Sequence, residues 1–291
     1  MPHVTVLVPT HDHAATLPFA VASVLAQSVD DLDVVIVCDG VGDDTRDAVR
    51  DLERGDRRVR HVDHPKSPRH GEPARHAVLQ ECRSPFVAYH GDDDLLVPWH
   101  LEHLLEAIAD RDFAHPLPLF FNDGDDEPVA FPMDLSDRRW VELQPIVSNH
   151  ISLTGVVHTL DAYRRLPHGW RTAPAGHPTD DWMWRQWFAQ PWFRGTTAPH
   201  ATTVKLPQRS RRDWESGRRE DEIAGWSARM REPGFAEAWA RIEDAAVRRA
   251  AVRAALESEQ LGYELTQRML RQWDVRIGEF RRRLRRRAER G

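Results

Sequence analysis

Three consecutive carboxylates, Asp92, Asp93 and Asp94, follow the short apolar run Pro85-Phe-Val-Ala-Tyr89. Side by side they repel one another unless something cationic sits among them. Their oxygens are hard donors suited to Mg2+ or Mn2+, ions that bridge phosphate oxygens. The plain alternative is a solvated turn ahead of a helix that starts at Pro98. A second acidic pair, Asp180-Asp181, opens a segment rich in tryptophan. A carboxylate there can act as a general base, or can simply favour a helix N-terminus. Other polar residues close earlier apolar runs: Pro9, Thr10 and Asp12 after the first, Asp39 after the second. Among the sixteen histidines, His11 with His13 and His61 with His64 have ligand-like spacing. No cysteine or glutamate cluster joins them, so no dedicated zinc site is expected.

The elements that must position these groups follow from hydrophobic periodicity. Val4-Thr-Val-Leu-Val8 is a β-branched run closed by Pro9 and reads as a buried parallel strand. Leu17, Ala20, Val21, Val24 and Leu25 then fall at helical spacing. Val34 to Val37 is a second strand, and Asp43 or Asp44 caps a helix running to about Arg54. Val59 to Val62, a helix from Ala74 to Glu81, and Pro85 to Tyr89 continue the alternation, with a further helix from Pro98 to about Ala109. This rhythm predicts a doubly wound, mostly parallel α/β sheet, whose ligands sit at the carboxyl ends of its strands. All three polar clusters fall on that edge. Beyond 110 the pattern is less regular: short strands at Leu119 to Asn122 and Val129 to Phe131, a strand-like run from His150 to His158, a helix near Leu160 to Leu166, and a helix from Asp180. The polar, basic stretch 196–217 reads as a loop. After 218 the composition turns to Ala, Arg and Glu at helical spacing, and the expected boundary lies near 212.

Several motifs then resemble glycosyltransferase family 2, whose members have the GT-A fold. They are Val4-Thr-Val-Leu-Val-Pro-Thr-His-Asp12, Ser23-Val-Leu-Ala-Gln-Ser28, Val34-Val-Ile-Val-Cys-Asp-Gly40 and Gly71-Glu-Pro-Ala-Arg-His76. Tyr89-His-Gly-Asp-Asp-Asp-Leu-Leu-Val-Pro98 is similar to the family's metal motif. Ser152-Leu-Thr-Gly155 and Thr179-Asp-Asp-Trp-Met-Trp184 are similar to its acceptor-side strand and catalytic acidic pair. The resemblance covers about the first 190 residues, in order. It implies a nucleotide-sugar-binding half at 1–110, an acceptor-binding half at 111–212, and an α-helical C-terminal region at 213–291.

The resemblance also implies roles. Pro9, Thr10, Asp12, Asp39, Arg75 and Asp92 fall on donor-binding positions, with Asp39 on the carboxylate that meets a pyrimidine base. Asp93, with Asp92 beside it, falls on the Mn2+- or Mg2+-coordinating position, and Asp94 becomes a supporting residue. Asp181 falls on the catalytic base, with Asp180 as its acidic neighbour. The implied activity is a metal-dependent, inverting transfer of a sugar from a UDP- or dTDP-type donor to a hydroxyl acceptor: a saccharide, a lipid-linked acceptor or a natural product. The sequence departs from the family pattern at Cys38, His76 and Gly91, where an acid, an asparagine and an acid are usual. The competing expectation is a catalytically degenerate GT-A protein that binds sugar nucleotides or serves as a scaffold. A sugar-phosphate nucleotidyltransferase would carry a glycine-rich basic loop after its first strand, and Pro9-Thr-His-Asp12 has neither feature.

Composition narrows the classes further. With 41% hydrophobic and 30% charged residues, the 291-residue chain can build a core beneath a polar surface. A net charge of −6 argues against nucleic acid as partner. Two cysteines and no long apolar run point to a cytoplasmic protein. The tail Phe280-Arg-Arg-Arg-Leu-Arg-Arg-Arg287 either docks peripherally on anionic lipid or ends a solvated helix. Lys66 and Lys205 are the only lysines, a bias read as coding composition. Late in the chain, His200 is a candidate neighbour of the metal, Arg209, Arg211 and Arg212 a candidate diphosphate clamp, and Trp182 a candidate sugar platform, with Trp184 and Trp187 in the core.

Overall fold

The computed structural model describes residues 3–123, 127–144 and 150–260. Its main sheet has seven strands in the order β10-β6-β9-β4-β1-β2-β3. These are β1 (Val4–Thr10), β2 (Leu32–Asp39), β3 (Val59–His64), β4 (Phe86–Tyr89), β6 (Phe113–Pro116), β9 (Val157–Thr159) and β10 (Gly195–Ala198). The predicted βαβ units pair in parallel, with Val6 opposite Val34 and Val34 opposite Val59. β4 lies on the other side of β1, also parallel to it. The chain therefore winds outward from β1 to β3 and then returns past β1. That reversal opens the crevice where a doubly wound sheet binds its ligand, between the ends of β1 and β4. β9 runs antiparallel to both β4 and β6.

Period-two alternation decides what each face covers. Val4, Val6, Val8, Val34 and Ile36 pack on one face beneath α1 (Leu17–Leu25), α2 (Asp43–Gly55) and α4 (His100–Ile108). Leu7, Val35 and Val37 point the other way, toward α3 (Glu72–Glu81), α6 (Leu160–Arg164) and α7 (Thr179–Phe188). Trp184 and Trp187 are fully buried there, as expected for i,i+3 neighbours on a core face. α2 begins at Asp43 without a side-chain cap, so neither Asp43 nor Asp44 caps it.

The 196–217 stretch is not the loop its polarity suggested. Gly195–Ala198 is an edge strand parallel to β6, and β11 (Thr203–Val204) pairs antiparallel with β5 (Leu95–Leu96). Threonine tolerates such half-covered strands, which is why polarity misled. Conversely, only Val157–Thr159 of the 150–158 run is strand. β7 (Leu119–Phe120) and β8 (Val129–Ala130) form a small separate hairpin.

Contacts divide the chain after Ala246. The expected boundary near 212 lies inside the first unit because α8 (Ser216–Arg229) packs on α1 and β5. Farther on, Trp239 donates its indole N–H to the Ala201 carbonyl at 2.7 Å. In the second unit, residues 247–260 are helical and expose Val252 and Leu256. The arginine-rich tail lies outside the described residues. Among the described residues no helix is long and apolar enough to cross a membrane.

Candidate active site

Each strand end on the carboxyl edge delivers one polar group. β1 ends at Thr10, whose buried hydroxyl has no hydrogen-bond partner among the described residues. Pro9 is half-buried beside it, and Asp12 is exposed. β2 ends at Asp39, only 3% exposed. Its Oδ1 accepts the Ser67 N–H at 2.6 Å, and its Oδ2 accepts from Lys66 Nζ at 2.6 Å. Burial opposes ionisation here, but Lys66 and Ser67 hold the carboxyl below its usual range. Two left-handed glycines permit this arrangement. A Cβ on Gly40 (φ 66°) would meet Lys66 Cβ at 2.5 Å, and one on Gly71 (φ 76°) would meet Asp39 Cβ at 3.1 Å.

β4 leads into the acidic triplet, which the fold divides. Asp94 points inward with no exposure and accepts from Lys205 Nζ at 2.6 Å, the Leu206 N–H at 2.8 Å and the Thr154 hydroxyl. Against the penalty of burial, Lys205 and these donors keep it ionised below the usual range. The pairing of β11 with β5 is what carries Lys205 to this place. Asp92 and Asp93, whose side chains are 11% and 12% exposed, take other partners. Asp92 Oδ1 meets His13 Nδ1 at 2.8 Å, and this bond raises the imidazole's pKa against burial. Asp93 Oδ2 meets Arg219 Nη2 at 2.5 Å. Burial first, then the charges of Asp94 and Asp92, push the Asp93 carboxyl upward. His13 Nε2 lies 3.4 Å from Arg219 Nη1, and an Nδ1–H tautomer satisfies both of its contacts. The result is a hydrogen-bonded chain, Asp92–His13–Arg219–Asp93, with a carboxylate at each end.

Gly91 stands where the motif usually has an acid, and packing explains it. A Cβ there would come within 2.9 Å of both Asp94 Oδ2 and Thr154 Oγ1.

The third group comes from α7. Asp181, 8% exposed, pairs with Arg185 one turn along, Oδ2 to Nε at 2.8 Å. Asp180 Oδ1 accepts the Asp181 N–H at 2.9 Å, and burial raises its pKa. The helix start is tied to α3 through Glu72, a fully buried carboxylate accepting from Thr179 Oγ1 at 2.9 Å and from the His70 N–H at 3.1 Å. Arg75, 2% exposed, lies 4.2 Å above the Trp170 ring and donates to the His70 carbonyl at 2.7 Å, while its Nε has no hydrogen-bond partner among the described residues. It sits in the fields of Glu72, Asp180 and Asp39. Lys205 in turn feels Asp93, Asp94 and Asp180. One basin of charge thus joins the ends of β2, β4 and α7.

Other candidates lie elsewhere. His200 bonds Glu243 at 2.9 Å rather than approaching Asp93. Arg211 is buried against Glu222 at 2.5 Å and the Phe121 carbonyl at 2.6 Å, so it is no mobile clamp; Arg209 and Arg212 are exposed. His61 bonds Glu53, and among the described residues no group of three His, Cys, Asp or Glu is assembled around an ion position. Trp182 is half-buried, and its indole N–H has no hydrogen-bond partner among the described residues. Sequence reasoning assigned Lys66, Lys205 and Arg219 no role at the site, and it weighed His13 only as a zinc ligand. A signal did exist for two of them: the only lysines in an arginine-rich chain each hold a strand-end aspartate.

The family model for glycosyl transferase family 2 matches residues 5–165. The chain belongs to glycosyltransferase family 2. The matched segment includes β1 through the acidic triplet, and it stops short of α7, Lys205 and Arg219. Among curated relatives, GalNAc(5)-diNAcBac-PP-undecaprenol beta-1,3-glucosyltransferase of Campylobacter jejuni is 28% identical over 115 residues, 40% of this chain and 37% of that protein. An uncharacterised glycosyltransferase of Nostoc sp. is 25% identical over 188 residues, 63% of this chain and 56% of that protein. The chain therefore spans between about a third and a little over half of the relatives it matches. The fold agrees with solved structures of low identity. Staphylococcus aureus TarS 1–349 superposes with a TM-score of 0.53 at 14% identity, covering 80% of this chain and 74% of that one. The mannosyltransferase PcManGT from Pyrobaculum calidifontis, in complex with GDP-Man and Mn2+, gives 0.51 at 18% identity, covering 88% and 80%. The family 2 chain thus has a GT-A-like, mostly parallel sheet with helices following it.

Proposed function

We propose that this family 2 protein is a metal-dependent, inverting glycosyltransferase that moves a sugar from a UDP- or dTDP-type nucleotide to a hydroxyl acceptor. The observation carrying the reading is the divided triplet: Asp94 is locked inward by Lys205, while Asp92 and Asp93, paired instead with His13 and Arg219, follow the end of β4 beside β1. Two adjacent hard-oxygen carboxylates fit Mn2+ or Mg2+, which are commonly held by one or two carboxylates plus substrate phosphates. Asp93, with Asp92 beside it, would hold the ion. When bound, it would offset the charge developing on the departing diphosphate.

The remaining steps belong to the chain's own residues. Pro9, Thr10 and Asp12 line the nucleoside side, where the unpartnered Thr10 hydroxyl is available to a ligand. Asp39 faces the base edge, and Arg75 carries a buried positive charge between Asp39 and Asp180. Asp181 takes the proton of the acceptor hydroxyl as it attacks the anomeric carbon, and Arg185 holds that carboxylate in place. Asp180, made less acidic by burial, accepts the Asp181 N–H and so fixes the start of the helix beside it. TarS has been solved with UDP-GlcNAc and PcManGT with GDP-Man, which supports a nucleotide sugar as donor. The Campylobacter relative's name describes a polyprenol-linked acceptor, in keeping with a lipid-linked hydroxyl here. In that case the arginine-rich tail would give peripheral membrane contact to a cytoplasmic enzyme.

One specific observation favours a second reading, a sugar-nucleotide-binding protein without turnover: Asp93 and Asp39 already have internal cationic partners, Arg219 and Lys66. Screening nucleotide sugars for metal-dependent hydrolysis and thermal stabilisation separates the two. Transfer predicts that Asp93→Ala abolishes metal-dependent donor binding while Asp181→Asn retains binding and loses turnover. Donor binding indifferent to metal and to Asp93 removes the metal assignment. Stabilisation without turnover on any donor supports the binding protein.

A further inference from the structure

Helix α8 lies beyond the segment that matches the family, yet it places a guanidinium inside the acidic cluster. The Arg219 side chain is 15% exposed and its Asp93 partner 12%. The helix has other anchors: Ile223 is fully buried, and Glu222 is paired with Arg211. A tie to the sheet therefore does not require Arg219. What the residue does is neutralise the Asp93 carboxylate and donate toward His13, which is itself bonded to Asp92.

A guanidinium has five N–H donors in a planar fork, a geometry that matches phosphate as well as carboxylate. Asp93 and a diphosphate are thus competing acceptors for the same cation. We propose that Arg219 is the resident counter-charge of the donor site: it holds Asp93 while the site is empty and transfers to the donor diphosphate as the divalent ion takes Asp93. Ion and nucleotide then bind as a coupled pair. The ion alone must displace a partly buried ion pair, and the nucleotide relieves that competition by giving Arg219 another acceptor. By linkage each ligand raises the other's affinity by the same factor. The inference rests on the metal-dependent reading above.

The test measures Mn2+ binding from the free-ion paramagnetic resonance signal, with and without UDP, and UDP binding by calorimetry without metal. Wild type, Arg219→Gln, Arg219→Lys and Asp93→Ala are compared, each with a melting curve to confirm folding. Arg219→Gln is expected to bind Mn2+ alone more tightly than wild type, by about fivefold or more, and to lose a similar factor in UDP affinity. Arg219→Lys falls between the two, keeping the charge without the fork. Unchanged Mn2+ affinity in Arg219→Gln, with Asp93→Ala still abolishing it, overturns the counter-charge role and leaves the metal reading standing. Mn2+ that ignores Asp93→Ala, or binds no variant even with UDP, overturns both. Unchanged UDP affinity in Arg219→Gln overturns the transfer to diphosphate. If UDP fails to bind wild type, the Mn2+-only comparison decides the role of Arg219 and the uracil preference falls.

Discussion

Two lysine–aspartate pairs of equal length sit at opposite sides of the site, and their surroundings make them unequal. Lys66 meets Asp39 from 27 residues away, at 2.6 Å, with the lysine side chain 41% exposed. Lys205 meets Asp94 from 111 residues away, also at 2.6 Å, with the lysine 20% exposed and the carboxylate not at all. The first pair is a local clasp formed by the turn after β3. The second joins the end of β4 to β11 and holds the acidic triplet in register. Where water cannot replace a lost partner, an unpaired charge is most damaging, so the two halves of the sheet edge should fail differently.

The largest difference is expected from Lys205→Met. It leaves Asp94 buried and uncompensated, and a loss of about 3–5 kcal/mol in denaturant unfolding is expected. Loss below about 1 kcal/mol, the usual ceiling for exposed pairs, would make the two clasps equivalent and erase the contrast. Trp184→Ala, on the α7 side of the same region, should lose about 3–5 kcal/mol through its cavity. Lys66→Met retains the Ser67 N–H on Asp39, so stability should fall by only about 1 kcal/mol. Its larger effect should appear in donor affinity, measured by nucleotide titration.

Acid should also act on the second half. His100, His115 and His158 are buried, and desolvation lowers their pKa values to about 3, 4 and 4 from 6.5. In the unfolded chain they protonate near 6.5, so below that pH the unfolded state binds more protons. Their contribution is fully present above pH 6.5 and is lost as pH falls toward 4. The slope is about 1.4 kcal/mol per pH unit for each histidine. Urea unfolding at pH 7, 6 and 5 checks this, and a flat profile would remove it. His158 is neutral for a visible reason: Nδ1 donates to the Thr159 carbonyl at 2.9 Å, and Nε2 accepts from the Tyr89 hydroxyl at 2.8 Å. That hydroxyl in turn accepts the Trp170 indole N–H at 2.8 Å. The smallest effect is expected at the exposed Arg218–Asp123 pair, where Arg218→Ala should change stability by about 0.5 kcal/mol or less.

The same division describes what could be read from the chain. The parallel half was legible because each strand is a short β-branched run ended by a polar residue, and each crossover shows helical spacing. Thr10, Asp39 and the acidic triplet therefore fall on one edge from the sequence pattern alone. The antiparallel insertion of β9, the edge strand Gly195–Ala198 and the inclusion of 213–246 in the first unit were not legible. Those depend on long-range pairing, and Thr-rich segments carry little periodic signal. Charges at long separation were hardest. Arg219 is one of many arginines until the packing of α8 on α1 brings it to Asp93. Arg75 was expected at the donor, and its buried guanidinium proved to stack on Trp170, an aromatic 95 residues later that no local pattern connects to it.

Gly91 has a consequence for how this chain can change. The side chains of Thr154 and Asp94 have closed over the space that an acid at position 91 would need. An acid placed there alone would collide with both. Asp94 cannot yield first, because Lys205 would then lose its partner, and removing Thr154 deletes the hydroxyl that accepts the Gly91 N–H and donates to Asp94. An acid at position 91 therefore requires at least two coordinated substitutions with a destabilised intermediate between them. Gly91, Thr154, Asp94 and Lys205 behave as one interlocked unit that single substitutions loosen but do not rebuild.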